Sequence, residues 1–427
     1  MDNRRDFLKM AGLLAAGLQL QGCASQAPVQ SAPARPMPKA GDWQAIRDEF
    51  LLDYSYAHFT GFLLTSHPRI VREDIAAHRA NLDRNPTLAV DYKAIWEREE
   101  DSRAWAARYL GVKPGQVALT GSTTEGIGLV YAGLPIKRGQ EILTSEHDHY
   151  ATQGALHFRT ERDGTPVKRI ALFKDPRLVS RDEVLGNLAR AITPKTRVLA
   201  LTWVHSGSGV KLPIGEIGEL VAERNRNRDE ADRIIFCVDG VHGFGIEDFV
   251  FADLNCDYFI AGTHKWMFGP RGTGIICSRS DQLQGLLPTI DSFSGYDSFG
   301  QSMTPGGFHA FEHQWALRKA FEFHLGLGKA NVEQRIHGLN SYLKQRLAEI
   351  PGVELVTPQG TELSAGFSFF RVKGVKAEAV DAHLLANKVL SNATDRDVGP
   401  VVRLAPGLLN NEAEIDRAVG LIAQYRT

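Results

Sequence analysis

At 427 residues, 43% hydrophobic and 23% charged, the chain exceeds one small core and has room for a large and a small domain. A formal net charge of −1 provides no electrostatic footprint for nucleic acid or an anionic membrane as partner. The four cysteines, Cys23, Cys237, Cys256 and Cys277, form no CxxC pair, which sets aside a disulfide scaffold and a zinc ribbon.

The chain opens with Arg4-Arg5-Asp6-Phe7-Leu8-Lys9 ahead of a mildly apolar run, 11–20. That run falls far short of the ~20 residues of a membrane span. The order of charge, apolar run and small residues over 1–23 resembles a twin-arginine export signal, which implies a periplasmic protein exported folded. Leu20-Gln21-Gly22-Cys23 resembles a lipoprotein cleavage site and implies a lipid anchor through Cys23, with ordinary signal-peptidase cleavage nearby left open. Residues 24–41, rich in Ala, Pro, Ser and Gln, read as a disordered linker.

From 43 to 110 the spacing of apolar residues predicts helices, the strongest over 94–110 and ended by Gly111. A short strand at 116–120 then runs into Gly121-Ser122-Thr123-Thr124-Glu125-Gly126 and a helix. Free N–H groups at such a helix start, with two threonine hydroxyls, suit a phosphate. A plain serine cap closed by Glu125 accounts for the same residues equally well. Strands at 141–145, 167–172, 197–204, 234–238, 257–261 and 274–278 follow, with helices at 181–192 and 214–225 among them. This alternation predicts an α/β fold whose mainly parallel sheet is covered on both faces and binds ligands beyond its strand ends. Helices at 312–325 and 329–349 and strands at 353–356, 366–372 and 401–404 predict a smaller α+β C-terminal domain. The expected division is a large domain over 57–308 and a small one formed by 42–56 and 309–427.

The polar residues at the strand ends are the candidates for chemistry. Lys265 follows the strand 257–261 inside Thr263-His264-Lys265 and a Gly/Pro-rich turn, a setting that suits a covalent amine nucleophile. Asp239 ends an apolar strand, where a carboxylate needs a cationic partner or must cap the next turn. His147 and His149 share half of a metal-binding spacing, but no matching Cys or carboxylate cluster accompanies them, so no metal is expected.

In order, these segments are GSTTEGI before a helix, Glu146-His147-Asp148-His149, His205-Ser206, Val238-Asp239-Gly240-Val241-His242, Thr263-His264-Lys265 with its glycine turn, and Val402-Arg403-Leu404 near the end. The series resembles the class V branch of fold-type I enzymes dependent on pyridoxal 5′-phosphate (PLP), which includes cysteine desulfurases, kynureninase-like and isopenicillin N epimerase-like proteins. The resemblance spans about residues 50–427 and implies a seven-stranded sheet in the large domain. It also implies roles. Lys265 would link covalently to PLP and Asp239 would pair with its ring nitrogen. His149 would stack on the ring, and Ser206 and His242 would flank the ring oxygen. Thr123, Thr124 and His264 would hold the phosphate, and Arg403 would bind a substrate carboxylate. Family members are homodimers, and a homodimer is expected here.

Two departures bear on the reaction. No cysteine follows Cys277, which disfavours sulfur transfer through an enzyme persulfide. Gly307-Phe308 stands where relatives carry Gly-Thr, which makes Phe308, His309 and Phe311 candidate lining of an altered substrate entrance. Joined to an export signal, the motifs resemble the periplasmic pyoverdine-maturation branch of the family. That likeness implies oxidative decarboxylation of an N-terminal glutamyl residue on a peptide siderophore precursor to succinamide. Two other readings stay open: a different class V reaction (epimerase, lyase or aminotransferase) on an exported amino acid or peptide, and a non-catalytic binding protein of the same fold.

Overall fold

The computed structural model describes residues 36–425. The twin-arginine segment and Cys23 lie outside the described residues. The described chain begins with a short helix, Trp43–Arg47, capped by Asp42, whose side chain accepts from Ala45 N. Strand β1 (Ala57–His58) follows, then the helices Arg69–Arg84 and Tyr92–Leu110. The second of these starts at Asp91, whose carboxylate accepts from Ala94 N at 2.8 Å, and stops at Gly111, which takes φ +70°.

Seven strands then build the large sheet: β2 (Val117–Thr120), β3 (Glu141–Ser145), β4 (Val167–Ile170), β5 (Thr196–Thr202), β6 (Ile235–Asp239), β7 (Tyr258–Gly262) and β8 (Gly274–Ser278). Their spatial order is β2-β8-β7-β6-β5-β3-β4. β8 alone runs against its neighbours, so the expected mainly parallel seven-stranded sheet is present with one reversed strand. Every residue of β5 through β8 is buried, as a sheet covered on both faces requires. One helical layer packs Ile127 and Val130 of the helix Thr123–Gly133, with Leu134 just past its end, against Ala118, Ile260 and Ile276 of the sheet.

The C-terminal domain carries its own antiparallel sheet. Its strands are β9 (Val353–Leu355), β10 (Ser368–Val372), β12 (Asn392–Arg396) and β13 (Gly399–Leu404), in the order β12-β13-β10-β9. Phe370, Val402 and Leu404 of this sheet meet Leu343 and Leu347 of the helix Lys329–Ala348 and Ile415 of the helix Glu412–Ile422. β11 (Val389–Leu390) pairs in parallel with β1, and Arg47 reaches Glu414 at 2.8 Å. The N-terminal segment is thereby tied to the C-terminal domain.

The element boundaries differ from the sequence expectation in informative places. The strand expected over 197–204 ends at Thr202: Trp203 N still closes the ladder onto Asp239 O at 2.8 Å, but Trp203 O is taken by Leu212 N at 2.7 Å. β6 extends one residue further than expected and takes in Asp239, which lies in register with Thr202 and Ile260. β12 was not expected at all, since Asn392-Ala393-Thr394-Asp395-Arg396 has the composition of a loop.

Candidate active site

The C-terminal ends of β5, β6 and β7 and the start of the helix Thr123–Gly133 converge on one cleft. At the helix start the capping reading of the GSTTEGI segment is observed directly. Ser122 caps the helix by accepting from Glu125 N at 3.1 Å, and the Glu125 carboxylate accepts from Gly121 N. The capping groups satisfy only part of the first turn, and Ser122, Thr123 and Thr124 still line the cleft. Thr123 Oγ1 accepts from Gly262 N at 2.7 Å, which stitches the helix start to the end of β7 and orients the hydroxyl. Gly262 allows this approach: a Cβ there would come within 2.8 Å of Thr123 Oγ1 and 2.9 Å of His264 Cε1.

Lys265 stands on the turn after β7. Thr65 Oγ1 donates to the carbonyls of both His264 and Lys265, at 3.1 and 2.9 Å, and Gly269 N donates to Thr263 O at 2.8 Å. The lysine is therefore held by backbone on both sides. Its Nζ lies 3.4 Å from His242 Nε2. Burial pulls the Lys265 ammonium down to about 8, against the opposing pull of Asp239. Asp239 is 2% exposed, and burial pushes its carboxyl up to about 6. Its Oδ1 accepts from Val241 N at 3.2 Å. Gly240 must follow, since a Cβ there would lie 1.8 Å from the Phe259 ring. His242 is buried and held below the ordinary imidazole range by burial and by Lys265, and its Nδ1 has no partner among the described residues.

His149 caps the helix Tyr150–Asp163 by accepting from Ala151 N at its Nδ1, 3.2 Å away. Burial and the nearby cations Arg396, Lys265 and Arg403 lower it to about 4, so the ring that lines the cleft is neutral at pH 7. Asp148 anchors this turn, accepting from Thr202 N at 2.6 Å, Ser145 N at 2.9 Å and Thr144 Oγ1 at 2.8 Å. His147 turns elsewhere: it stacks on Phe173 at 4.0 Å and pairs with Asp397 at 2.8 Å, so the two histidines do not form half of a metal site.

Arg403 comes from β13 and is 4% exposed. Its Nε and Nη2 donate to Asn392 Oδ1 and its Nη1 to Ser206 O at 2.9 Å, which leaves two of its five N–H donors for a ligand. The guanidinium lies 4.6 Å over the Phe62 ring, and burial lowers it to about 10. Ser206 Oγ accepts from Arg396 Nη1 at 2.6 Å.

Every candidate site residue, from Thr123 and Thr124 through His149, Ser206, Asp239, His242, His264 and Lys265 to Arg403, thus lines this one cleft. Phe308, His309 and Phe311 do not. Phe308 is 81% exposed and flanks separate hollows with His309, while Phe311 packs on Ile95 and Trp315. Within one chain the expected entrance lining is therefore not brought to Lys265. Arg396, Tyr150 and Thr202 line the cleft without having been singled out in the sequence, where no motif or strand-end signal marks them, and Phe62 comes from the turn-rich 56–62 segment.

The donor set fits PLP. A buried carboxylate that lacks a cationic partner except an amine with a lowered pKa suits a protonated ring nitrogen. Thr202 Oγ1 and His242 Nδ1, without partners among the described residues, could make further polar contacts, and the helix start suits a phosphate. The aminotransferase class V family matches residues 76–402. The chain belongs to that family. Isopenicillin N epimerase of Streptomyces clavuligerus is 27% identical over 88% of this chain and 96% of its own length. A probable cysteine desulfurase of Vibrio cholerae is 22% identical over 76% of this chain and 81% of its own. Among solved structures, a C-DES mutant with glycine covalently linked to its PLP cofactor superposes with a TM-score of 0.78 at 22% identity, covering 88% of this chain and 98% of that one. The apo cysteine desulfurase of Thermococcus onnurineus NA1 gives 0.76 at 18%, covering 92% and 99%. The fold is that of fold-type I PLP enzymes, and the chain is a PLP-dependent enzyme of class V. Cys237, Cys256 and Cys277 are all free and buried, and burial pushes their thiols up, so none of them serves the cleft as a sulfur acceptor.

Proposed function

We propose that this class V member is an exported enzyme acting at the Cα of a substrate with free α-amino and α-carboxylate groups. Its substrate is the N-terminal glutamyl residue of a pyoverdine-type siderophore precursor, which it decarboxylates oxidatively. The observation that carries the general reading is the company Lys265 keeps: a buried amine sharing one cleft with Asp239 and with Arg403, which has no acidic contact among the described residues. PLP, when bound, supplies an electron sink conjugated with the substrate Cα. Lys265 holds the cofactor and moves a proton at its Nζ. Asp239 would pair with the ring nitrogen and keep charge there, His149 would cover one face of the ring, and Arg403 would orient the substrate by its carboxylate. The finer substrate is supported by the signal-like order of Arg4, Arg5 and the apolar run together with the family motifs. In that reaction the Cα–carboxylate bond breaks, Cα gains oxygen and keeps nitrogen as a primary amide, and dioxygen is consumed with release of CO2 and water.

A second reading is epimerisation, favoured by the 27% identity to isopenicillin N epimerases over 88% of the chain. Mass spectrometry of a glutamyl-bearing pyoverdine precursor, incubated in air with the PLP-loaded protein in D2O, separates the two. Loss of CO2 with formation of succinamide, absent with Lys265→Ala, is the expected result. Deuterium at Cα without loss of CO2 would assign the epimerase reading instead. An unchanged precursor from protein that keeps its PLP colour would overturn the siderophore assignment.

A further inference from the structure

The cleft holds a second guanidinium that one substrate carboxylate does not require. Arg396 ends β12 and donates from Nη1 to Ser206 Oγ at 2.6 Å, with its guanidinium 5.5 Å from the Tyr150 ring. Arg403 donates to the carbonyl of the same Ser206 at 2.9 Å. The two forks are therefore neighbours, and the charge of Arg396 further lowers Arg403. The contacts of the pair are to Ser206, Asn392, Tyr150, Phe62 and Phe369, none of them acidic. Of the acids close by in chain or cleft, Asp397, next after Arg396, is engaged by His147 at 2.8 Å, and Asp239 accepts from Val241 N. Two like charges side by side in a partly desolvated cleft repel each other unless acceptor oxygens arrive with the ligand. The two remaining end-on N–H groups of Arg403 are filled by one bidentate carboxylate. The acceptor for Arg396 must then come from another part of the same molecule. Because both forks meet on Ser206, that part lies within a short side chain's reach of the α-carboxylate.

We propose that Arg396 is a specificity residue that recognises an acyl oxygen, amide or carboxylate, on the substrate's side chain, so that the cleft is built for glutamyl-type amino acids. This rests on the reading above that Arg403 takes the α-carboxylate. Three unreactive acids test it by calorimetric titration of the PLP-loaded protein: valerate with one carboxylate, glutarate with two, and glutaramate with a carboxylate and an amide. Glutarate and glutaramate should bind about tenfold tighter than valerate, the scale of one charged hydrogen bond. A gain for glutarate alone would mark a free second carboxylate as the source, and equal gains would mark an amide-linked glutamyl group as equally acceptable. Arg396→Ala should bring the ratio to about one, Arg396→Lys should restore part of it for glutarate, and Arg403→Ala should weaken all three. Bound-PLP absorbance and circular dichroism establish that each variant is folded and loaded. Equal binding of the three acids by the unaltered protein overturns the proposal. So does Arg396→Ala weakening valerate as much as glutarate, which would make Arg396 a second ligand of the α-carboxylate. These acids do not turn over, so an intact preference beside a failed decarboxylation assay overturns the reaction assigned above and leaves the role of Arg396 standing.

Discussion

A lysine that must attack an aldehyde has to be neutral, and one that must be held beside a carboxylate is drawn toward its charged form. Lys265 stands between these demands, with burial lowering it to about 8 and Asp239 pulling the other way. The sign of the pH dependence follows. Below about 8 the amine carries a proton and is no nucleophile; above it the free amine dominates. The rate at which apoprotein takes up PLP should therefore rise about tenfold per pH unit under acid conditions and level off beyond that midpoint. Stopped-flow absorbance with excess PLP measures it, and a rate flat across the range would remove Lys265 as the titrating nucleophile. Asp239→Asn deletes the charge that raises Lys265, so its midpoint should move to lower pH. Both residues were legible in the sequence because each stands at or just past the end of an apolar strand, where a charged residue is conspicuous. Arg396 was not legible, since it ends a strand whose other residues are those of a loop.

At the scale of elements, the site depends on how closely the helix Thr123–Gly133 approaches the end of β7. The 2.7 Å bond from Gly262 N to Thr123 Oγ1 leaves no room for a side chain between the two. Gly262→Ala places a methyl 2.8 Å from Thr123 Oγ1 and 2.9 Å from His264 Cε1, both candidate phosphate holders. The cost to folding should be about 1–3 kcal/mol, the usual range for overpacking, because side chains rather than backbone must give way. The loss in PLP retention should be larger, about tenfold or more, if Thr123 and His264 hold the phosphate as expected. Gel filtration followed by the absorbance of retained PLP reads this directly. Full retention would place the phosphate elsewhere. The cap and the anion cradle at Ser122 and Thr123 were rivals in the sequence; the structure shows the cap, which consumes only part of the free N–H groups and so does not exclude the cradle.

For the whole molecule, we expect a homodimer joined through the face that carries Phe308. Phe308 is 81% exposed and shares an apolar hollow with Tyr92, Trp96 and Phe293, each also exposed by about half or more. Exposed aromatic clusters of this kind are enriched where subunits meet. Sedimentation should give twice the chain mass, and Phe308→Glu should shift it toward the monomer at unchanged secondary structure; a fully active monomer would overturn the dimer. The sequence by itself determined the α/β class, the nearly parallel sheet, and the lysine, aspartate and threonines at its strand ends. All of these depend on patterns within a few contiguous residues: apolar runs, caps and the polar residue that stops a strand. Only the tertiary structure decided that Ser206, Arg396 and Arg403 share one corner of the cleft. Arg396 lies 190 positions from the serine it binds, and a hairpin must fold back over the sheet to bring them together. No local pattern records such a meeting, because the cost of closing the loop and the packing that offsets it belong to the whole chain.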